Sequence, residues 1–197
     1  MNSSSENHIA TVDFNDFISG DPNRKAAFVK EFGDSFSNMG FAIVTNHGVS
    51  KELREKLYQI SEQFFALEEG IKKQYEKEEV IGQRGYISKY RETAKGFKVP
   101  DLKEFYHVGQ EVTDGDAIKS EYFDNIWVDE LPEFKEVCLD VFQTFENTGK
   151  NLLRAIALYL DLPETYFDSK IHNGNSILRL LHYFPLEGVP DIQEGAV

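Results

Sequence analysis

Apolar positions recur at helical spacing in three stretches of the chain. Ala27, Phe28, Phe32, Phe36 and Met39 form the first stripe. Asp21-Pro22 before it supplies an N-cap and a proline at the first helical position, and Gly40 suits the left-handed residue that closes a helix. The second stripe is Leu53, Leu57, Ile60, Phe64 and Leu67, with Ser50 as its cap. The third and longest is expected to run from Pro132 to Leu160 and carries Phe134, Val137, Cys138, Val141, Phe142, Phe145, Leu152, Leu153, Ile156 and Leu160. Gly149 interrupts it, which marks a close helix contact or a slight bend, and Asp161-Leu162-Pro163 ends it.

Between the stripes the pattern is strand-like or loop-like. His8 to Phe14 alternates as a short strand, and Phe41 to Thr45 has strand composition. The second runs into Asn46-His47-Gly48, a turn in which the His47 ring and Asn46 are expected to bond to backbone and Gly48 to take a φ that other residues resist. Lys72, Lys73 and Lys77 alternate with Glu76, Glu78 and Glu79, the pattern of a solvated helical face. Gly82 to Ser88 reads as a loop because of its glycines, and Glu164 to Phe167 as a turn-like segment. Ser176 to Pro185 reads as a strand, bounded by His172-Asn173-Gly174-Asn175 and by Pro185, Gly188 and Pro190. Ile177, Leu180 and Leu181 are expected to face a core. The residues alone favour a buried strand with a snorkelling Arg179 and a hydrogen-bonded His182.

Composition narrows the classes. The length suits one domain, and Lys+Arg 21 against Asp+Glu 34 leaves a net charge of −13. Such acidity argues against a nucleic-acid phosphate surface or an anionic membrane. Cys138 is the single cysteine, so neither an internal disulfide nor a multi-cysteine metal site can form. On the long stripe it is a core residue rather than a nucleophile. Residues 1–7 are polar, without a basic n-region or apolar h-region, and are expected to be disordered. No apolar run reaches the roughly 18 residues of a membrane span. These features fit a reducing cytoplasm and a protein that partners neither nucleic acid nor membrane; the oligomeric state stays open, and the small-molecule substrate expected as partner is implied only by the resemblance that follows. No glycine-rich phosphate loop or G-x-S-x-G elbow is present.

Several blocks, in order, carry a resemblance. They are Gly40-Phe41 to Val49, then Arg84-Gly85-Tyr86, then Glu92-Thr93-Ala94-Lys95-Gly96, then Asp101 to Gly109, then Asn125-Ile126-Trp127 with Leu131-Pro132, then Leu178-Arg179-Leu180-Leu181-His182-Tyr183 with Pro185. Together they resemble the isopenicillin N synthase-like oxygenases, most of which use Fe(II) and 2-oxoglutarate. Phe184 stands where the family has the first of two prolines. The resemblance covers about His8 to Pro185.

It implies an α/β (α+β) fold: the N-terminal part of a double-stranded β-helix, or jelly roll, with flanking helices, one of them long and near 132–160. Residues 8–120 would be the family's N-terminal region, and 121–197 the long helix and first jelly-roll strand or strands, cut short at 197. The implied reaction is oxidation of a small organic molecule by hydroxylation, desaturation or ring closure, with 2-oxoglutarate decarboxylated to succinate. The cofactors are Fe(II), 2-oxoglutarate as cosubstrate, and O2. The family holds iron with a His-x-Asp pair and a distal His. None of His8, His47, His107, His172 and His182 has Asp or Glu two positions later, so the ligands are expected after Val197 and residues 1–197 alone are expected to be inactive. Tyr183 occupies the place of the family's carboxylate-contacting Tyr, with Arg179 beside it. Arg84 and Tyr86, on a loop over the mouth of the site, are the candidates for the substrate end. Two other classes stay open: a non-catalytic scaffold or binding module without iron, and a family oxidase that does not use 2-oxoglutarate.

Overall fold

A computed structural model describes residues 8–93 and 99–185. The fraying expected at residues 1–7, the Ala94-Lys95-Gly96 part of one family block, and the Gly188 and Pro190 breakers lie outside the described residues. The chain divides into two compact units, 1–50 with 143–174 and 51–142 with 175–197.

In the first unit, strand β1 (Thr11–Asp13) is followed by helices α1 (Phe14–Ile18) and α2 (Pro22–Met39) and by strand β2 (Ile43–Thr45). The helical crossover returns the chain in its original direction, so β1 and β2 pair in parallel, with Val12 opposite Val44. The Asp21 carboxylate accepts the Asn23 and Arg24 N–H groups at 2.8 and 3.4 Å, and Gly40 closes α2 at φ 77° with its N–H on Phe36 O. Phe17, Phe28 and Phe32 of the helices pack with Val12 and with Ala155. At the turn, Asn46 takes φ 52° and Gly48 φ 91°. Asn46 donates to the Asp13 carboxylate rather than to backbone. The His47 ring lies against Phe145 with no partner on Nδ1, while its carbonyl accepts the Thr148 hydroxyl. The expected ring-to-backbone bond at His47 is therefore replaced by a stacking contact.

The long helix α5 (Phe134–Tyr159) contributes its first turns to the second unit and the rest to the first. The close approach expected at Gly149 is absent, since a Cβ there would meet nothing within 4 Å. It occurs at Gly33, where a Cβ would stand 2.0 Å from the Tyr159 ring.

In the second unit, α3 (Lys51–Phe65) and the short α4 (Glu69–Lys72) precede an antiparallel sheet of β3 (Gly85–Ile87), β4 (Lys103–Gly109) and β5 (Ile177–Tyr183), with β4 central. Phe64 is fully buried, and its ring meets Tyr86, Tyr106 and Phe134 at 5.7, 4.9 and 5.6 Å. Each such pair contributes about 0.5–1.5 kcal/mol beyond area burial. Gly85 to Ile87, expected as loop, is buried strand: the Gly85 backbone passes so close to Tyr75 O that a Cβ would stand 2.4 Å from it. The charged run 72–79 is not a continuous helical face either. α4 stops at Lys72, 3-10 turns follow at Lys73–Tyr75 and Glu78–Val80, and Lys72 is buried. On β5 the strand period separates Leu180 from Leu181. Leu180 is buried and Leu178 packs beside it, whereas Ile177 and Leu181 lie exposed on the opposite face.

Candidate functional site

Strand register sorts the polar residues of this sheet onto two faces. Tyr86, Tyr106 and Leu180 are directly opposite one another across β3, β4 and β5, as are Glu104 and His182 across β4 and β5; this set faces the aromatic core. The other face carries Lys103, Phe105, His107 and Gly109 of β4, opposite Tyr183, Leu181, Arg179 and Ile177 of β5.

On the core face, Glu104 is 1% exposed and Lys72 7%. Lys72 Nζ donates to both Glu104 oxygens, at 2.9 and 2.7 Å, and to Phe65 O at 3.1 Å. The Tyr86 hydroxyl and His182 Nδ1 complete the shell around that carboxylate. Burial opposes ionisation of Glu104, but the bonds from Lys72, Tyr86 and His182 outweigh it and hold the carboxyl below its usual range. Burial, with the bond to Glu104, pushes the Tyr86 phenol up. The network ties α4 to all three strands and fills Tyr86's hydroxyl with an internal partner.

The opposite face is built differently. His107 is 4% exposed; its Nδ1 lies 2.8 Å from Gly82 O, and its Nε2 accepts from Arg179 Nε at 2.6 Å. Those partners require a neutral ring with its proton on Nδ1. Burial, opposed by the Gly82 carbonyl and reinforced by the Arg179 charge, lowers its pKa to about 4. The Arg179 guanidinium lies 4.5 Å over the Phe105 ring and reaches Glu92 at 3.3 and 3.4 Å. Glu92 is held more closely by Lys103, at 2.9 Å, and Lys103 also pairs with Asp101 at 2.7 Å. Arg84 is fully buried. One guanidinium nitrogen donates to Gln83 O, while Nε and Nη2 have no partner. Its guanidinium occupies the space a side chain at Gly109 would need: a Cβ there would stand 1.9 Å from Arg84 Cζ. The positive φ of Gly85, 74°, breaks the strand alternation next to Arg84.

Of the four residues singled out in the sequence, Arg84, Arg179 and Tyr183 share this face, and Tyr183 is half exposed at the Lys103 end. Tyr86 points to the other face, with its hydroxyl on Glu104. The sequence pattern gives no site role to His107, Glu92, Lys103 or Glu104, and it places Lys72 on a solvated face, whereas Lys72 is buried against Glu104. The available signal was the alternation Lys103-Glu104-Phe105-Tyr106-His107, which puts Lys and His on one face and Glu on the other. A cavity of about 300 Å³ lies at the far end of β4, between Gln110, Lys119, Asn125 and Trp127, and none of the four candidates lines it. Among the described residues, no group of three or more His, Cys, Asp or Glu could hold a metal ion. No helix among them is long and apolar enough to cross a membrane.

Residues 9–130 match the family described as the N-terminal region of the non-haem dioxygenases in morphine synthesis. The chain is 32% identical over 185 residues to the 2-oxoglutarate-dependent dioxygenase htyE of Aspergillus rugulosus, covering 90% of this chain and 56% of that protein. It is 32% identical over 196 residues to the proline hydroxylase buaE of Petromyces alliaceus, covering 96% and 59%. The chain thus spans little more than half the length of these relatives. Among solved structures, a Caulobacter crescentus protein assigned to the 2OG-Fe(II) oxygenase family superposes with TM-score 0.80 at 36% identity, over 92% of this chain and 58% of that one. A Neurospora crassa protein in complex with alpha-KG and thymine superposes with TM-score 0.75 at 28% identity, over 93% and 57%.

Proposed function

We infer the function from one premise: this chain belongs to the isopenicillin N synthase-like family of 2-oxoglutarate/Fe(II)-dependent oxygenases. The reading is that the protein oxidises a small organic molecule, by hydroxylation, desaturation or ring closure, while 2-oxoglutarate is decarboxylated to succinate. The observation that carries it beyond family membership is one face of the sheet, along which Arg84, Arg179 and Tyr183 all lie, in a chain of net charge −13. Guanidinium groups and a phenol are donors suited to carboxylate oxygens. Arg179 and Tyr183 would bind a carboxylate of cosubstrate or substrate. Arg84, with two unpartnered donors, would take an anionic group at the substrate end. A role for Tyr86 there would require its hydroxyl to leave Glu104.

The described residues do not fit an iron site, so no step is assigned through the metal, which in this family supplies the oxidising power. Residues 8–120 are read as the family's N-terminal region, and 121–197 as the long helix and first barrel strand. A reducing, cytoplasmic location accords with the single free, buried cysteine. The proline hydroxylase and the thymine complex among the similar proteins suggest small polar substrates, without choosing one.

The test is Fe(II)-dependent formation of succinate from 2-oxoglutarate by the natural gene product, with Tyr183→Phe and Arg179→Gln as variants. The expected result is turnover in the wild type and a raised KM for 2-oxoglutarate or substrate in the variants. Iron-dependent oxidation without succinate would establish the oxidase class instead. Neither iron binding nor turnover would leave a binding module.

A further inference from the structure

The surroundings of Arg179 carry a further inference, which rests on the reading that this arginine takes a carboxylate. Its Nε–H is committed to His107, and its plane is stacked on Phe105, so the edge it presents is fixed. Glu92 stands beside that edge. Lys103 holds the Glu92 carboxylate at 2.9 Å, and the Asp101 N–H holds the Glu92 backbone carbonyl at 2.8 Å, but Glu92 reaches Arg179 only at 3.3 and 3.4 Å. Glu92 is therefore anchored by Lys103 and leans loosely on Arg179. Its two oxygens face the two terminal nitrogens, Oε1 toward Nη2 and Oε2 toward Nη1, so a ligand carboxylate reaching Arg179 meets those nitrogens beside a negative charge already set against them.

The charges on this face nearly cancel. Arg84, Lys103 and Arg179 are cationic, Glu92 and Asp101 are anionic, and His107 is neutral by its hydrogen bonds; three cations against two carboxylates leave one positive charge. We infer that Glu92 is a specificity-determining residue: it lowers the positive charge at Arg179 to what a single carboxylate neutralises. The site then favours ligands that bring one negative charge to it and discriminates against those that bring two. A like charge about 6 Å away in a surface-like dielectric would alter affinity by about a hundredfold. Glu92 and Arg179 are each 37% exposed, so screening by water and salt reduces this to about tenfold.

Binding of propionate and of succinate to the natural gene product, measured by titration calorimetry at low salt, tests this with Glu92→Gln, Glu92→Asp and Arg179→Gln. The expected result for Glu92→Gln is tighter binding of both probes, about tenfold for propionate and more for succinate. That gain fades as salt is added. Glu92→Asp keeps the wild-type ratio of the two affinities, and Arg179→Gln abolishes binding of both. Asp101 remains as a partner for Lys103, so Glu92→Gln retains the fold, and its thermal melt serves as the control. If Arg179→Gln abolishes binding but Glu92→Gln leaves the succinate-to-propionate ratio unchanged or weakens binding, the role of Glu92 is overturned and the Arg179 reading stands. Binding that survives Arg179→Gln, or is absent from every variant, overturns both.

Discussion

Replacing Lys72 with methionine tests the account of the core-facing network. The methionine fills the space of the lysine stem but removes the cation and its three hydrogen bonds, two to Glu104 and one to Phe65 O. Glu104 is then a 1% exposed carboxylate with only the Tyr86 hydroxyl and His182 as donors. Removing one partner of a buried pair costs about 3–5 kcal/mol. The carboxylate has one escape, which is to take up a proton. From its ordinary value of 4.5, protonation at pH 7 costs about 3.4 kcal/mol, so the loss at neutral pH should be about 3 kcal/mol.

Urea unfolding followed by the fluorescence of Trp127, the single tryptophan and a neighbour of this core, measures it. With a slope of about 2 kcal/mol/M, the midpoint should fall by about 1.5 M. The pH dependence supplies the signature. In the wild type the Glu104 pKa is depressed, so its contribution is present above 4.5 and is lost as pH falls through the folded value. In Lys72→Met it is raised above the unfolded value, so the variant is relatively stronger in acid and the gap to wild type narrows as pH drops toward 4.5. Adding Glu104→Gln removes the stranded charge and should recover half or more of the loss. A cost under about 1 kcal/mol for Lys72→Met at pH 7, or a double variant no better than the single one, would refute the reasoning.

Two further outcomes follow from the opposite face. His107 is neutral in the fold, with a pKa lowered from 6.5 to about 4; the unfolded chain binds the extra proton first, so stability should fall by about 3 kcal/mol as pH drops from 6.5 to 4. His107→Gln should flatten that segment of a urea-midpoint-versus-pH curve, and an unchanged slope would count against the neutral ring bridging Gly82 and Arg179. Gly109→Ala would place a methyl 1.9 Å from Arg84 Cζ in a fully enclosed site and should destabilise by about 1–3 kcal/mol, with Arg84→Ala in the same chain relieving much of the strain. Neutral behaviour of Gly109→Ala in thermal melts would show that the guanidinium does not rest on the β4 backbone.

Much of the fold is legible in local patterns. The α2 boundaries follow from Asp21-Pro22 and Gly40, because a cap is a contact between residues two or three apart. The long helix, expected from Pro132 to Leu160, runs Phe134–Tyr159, since its stripe persists over seven turns. Arg179 and Tyr183 stand on the same face of β5 as their two-residue alternation requires. The errors arise where a residue's partner lies far along the chain. Lys72 has the composition of a solvated face, and only Glu104, 32 residues away, takes it inside. Gly85 looks like a loop marker because the carbonyl that requires its missing side chain belongs to Tyr75.

By itself, then, the sequence determined the three long helices, the strands β1, β2 and β5, the acidic and cysteine-poor character of the chain, and the ordered blocks that identify the oxygenase family. These depend on neighbours in the chain or on residue identity alone. Only the tertiary structure decided which face of the sheet each polar residue occupies and with whom it is paired. Strand register did this: pairing Glu104 with His182 and His107 with Arg179 places one carboxylate among buried donors and brings the arginines together on the other side. Register is a long-range choice, made because a shift of one residue would drive Tyr106 and Leu180 out of the core and Arg179 into it.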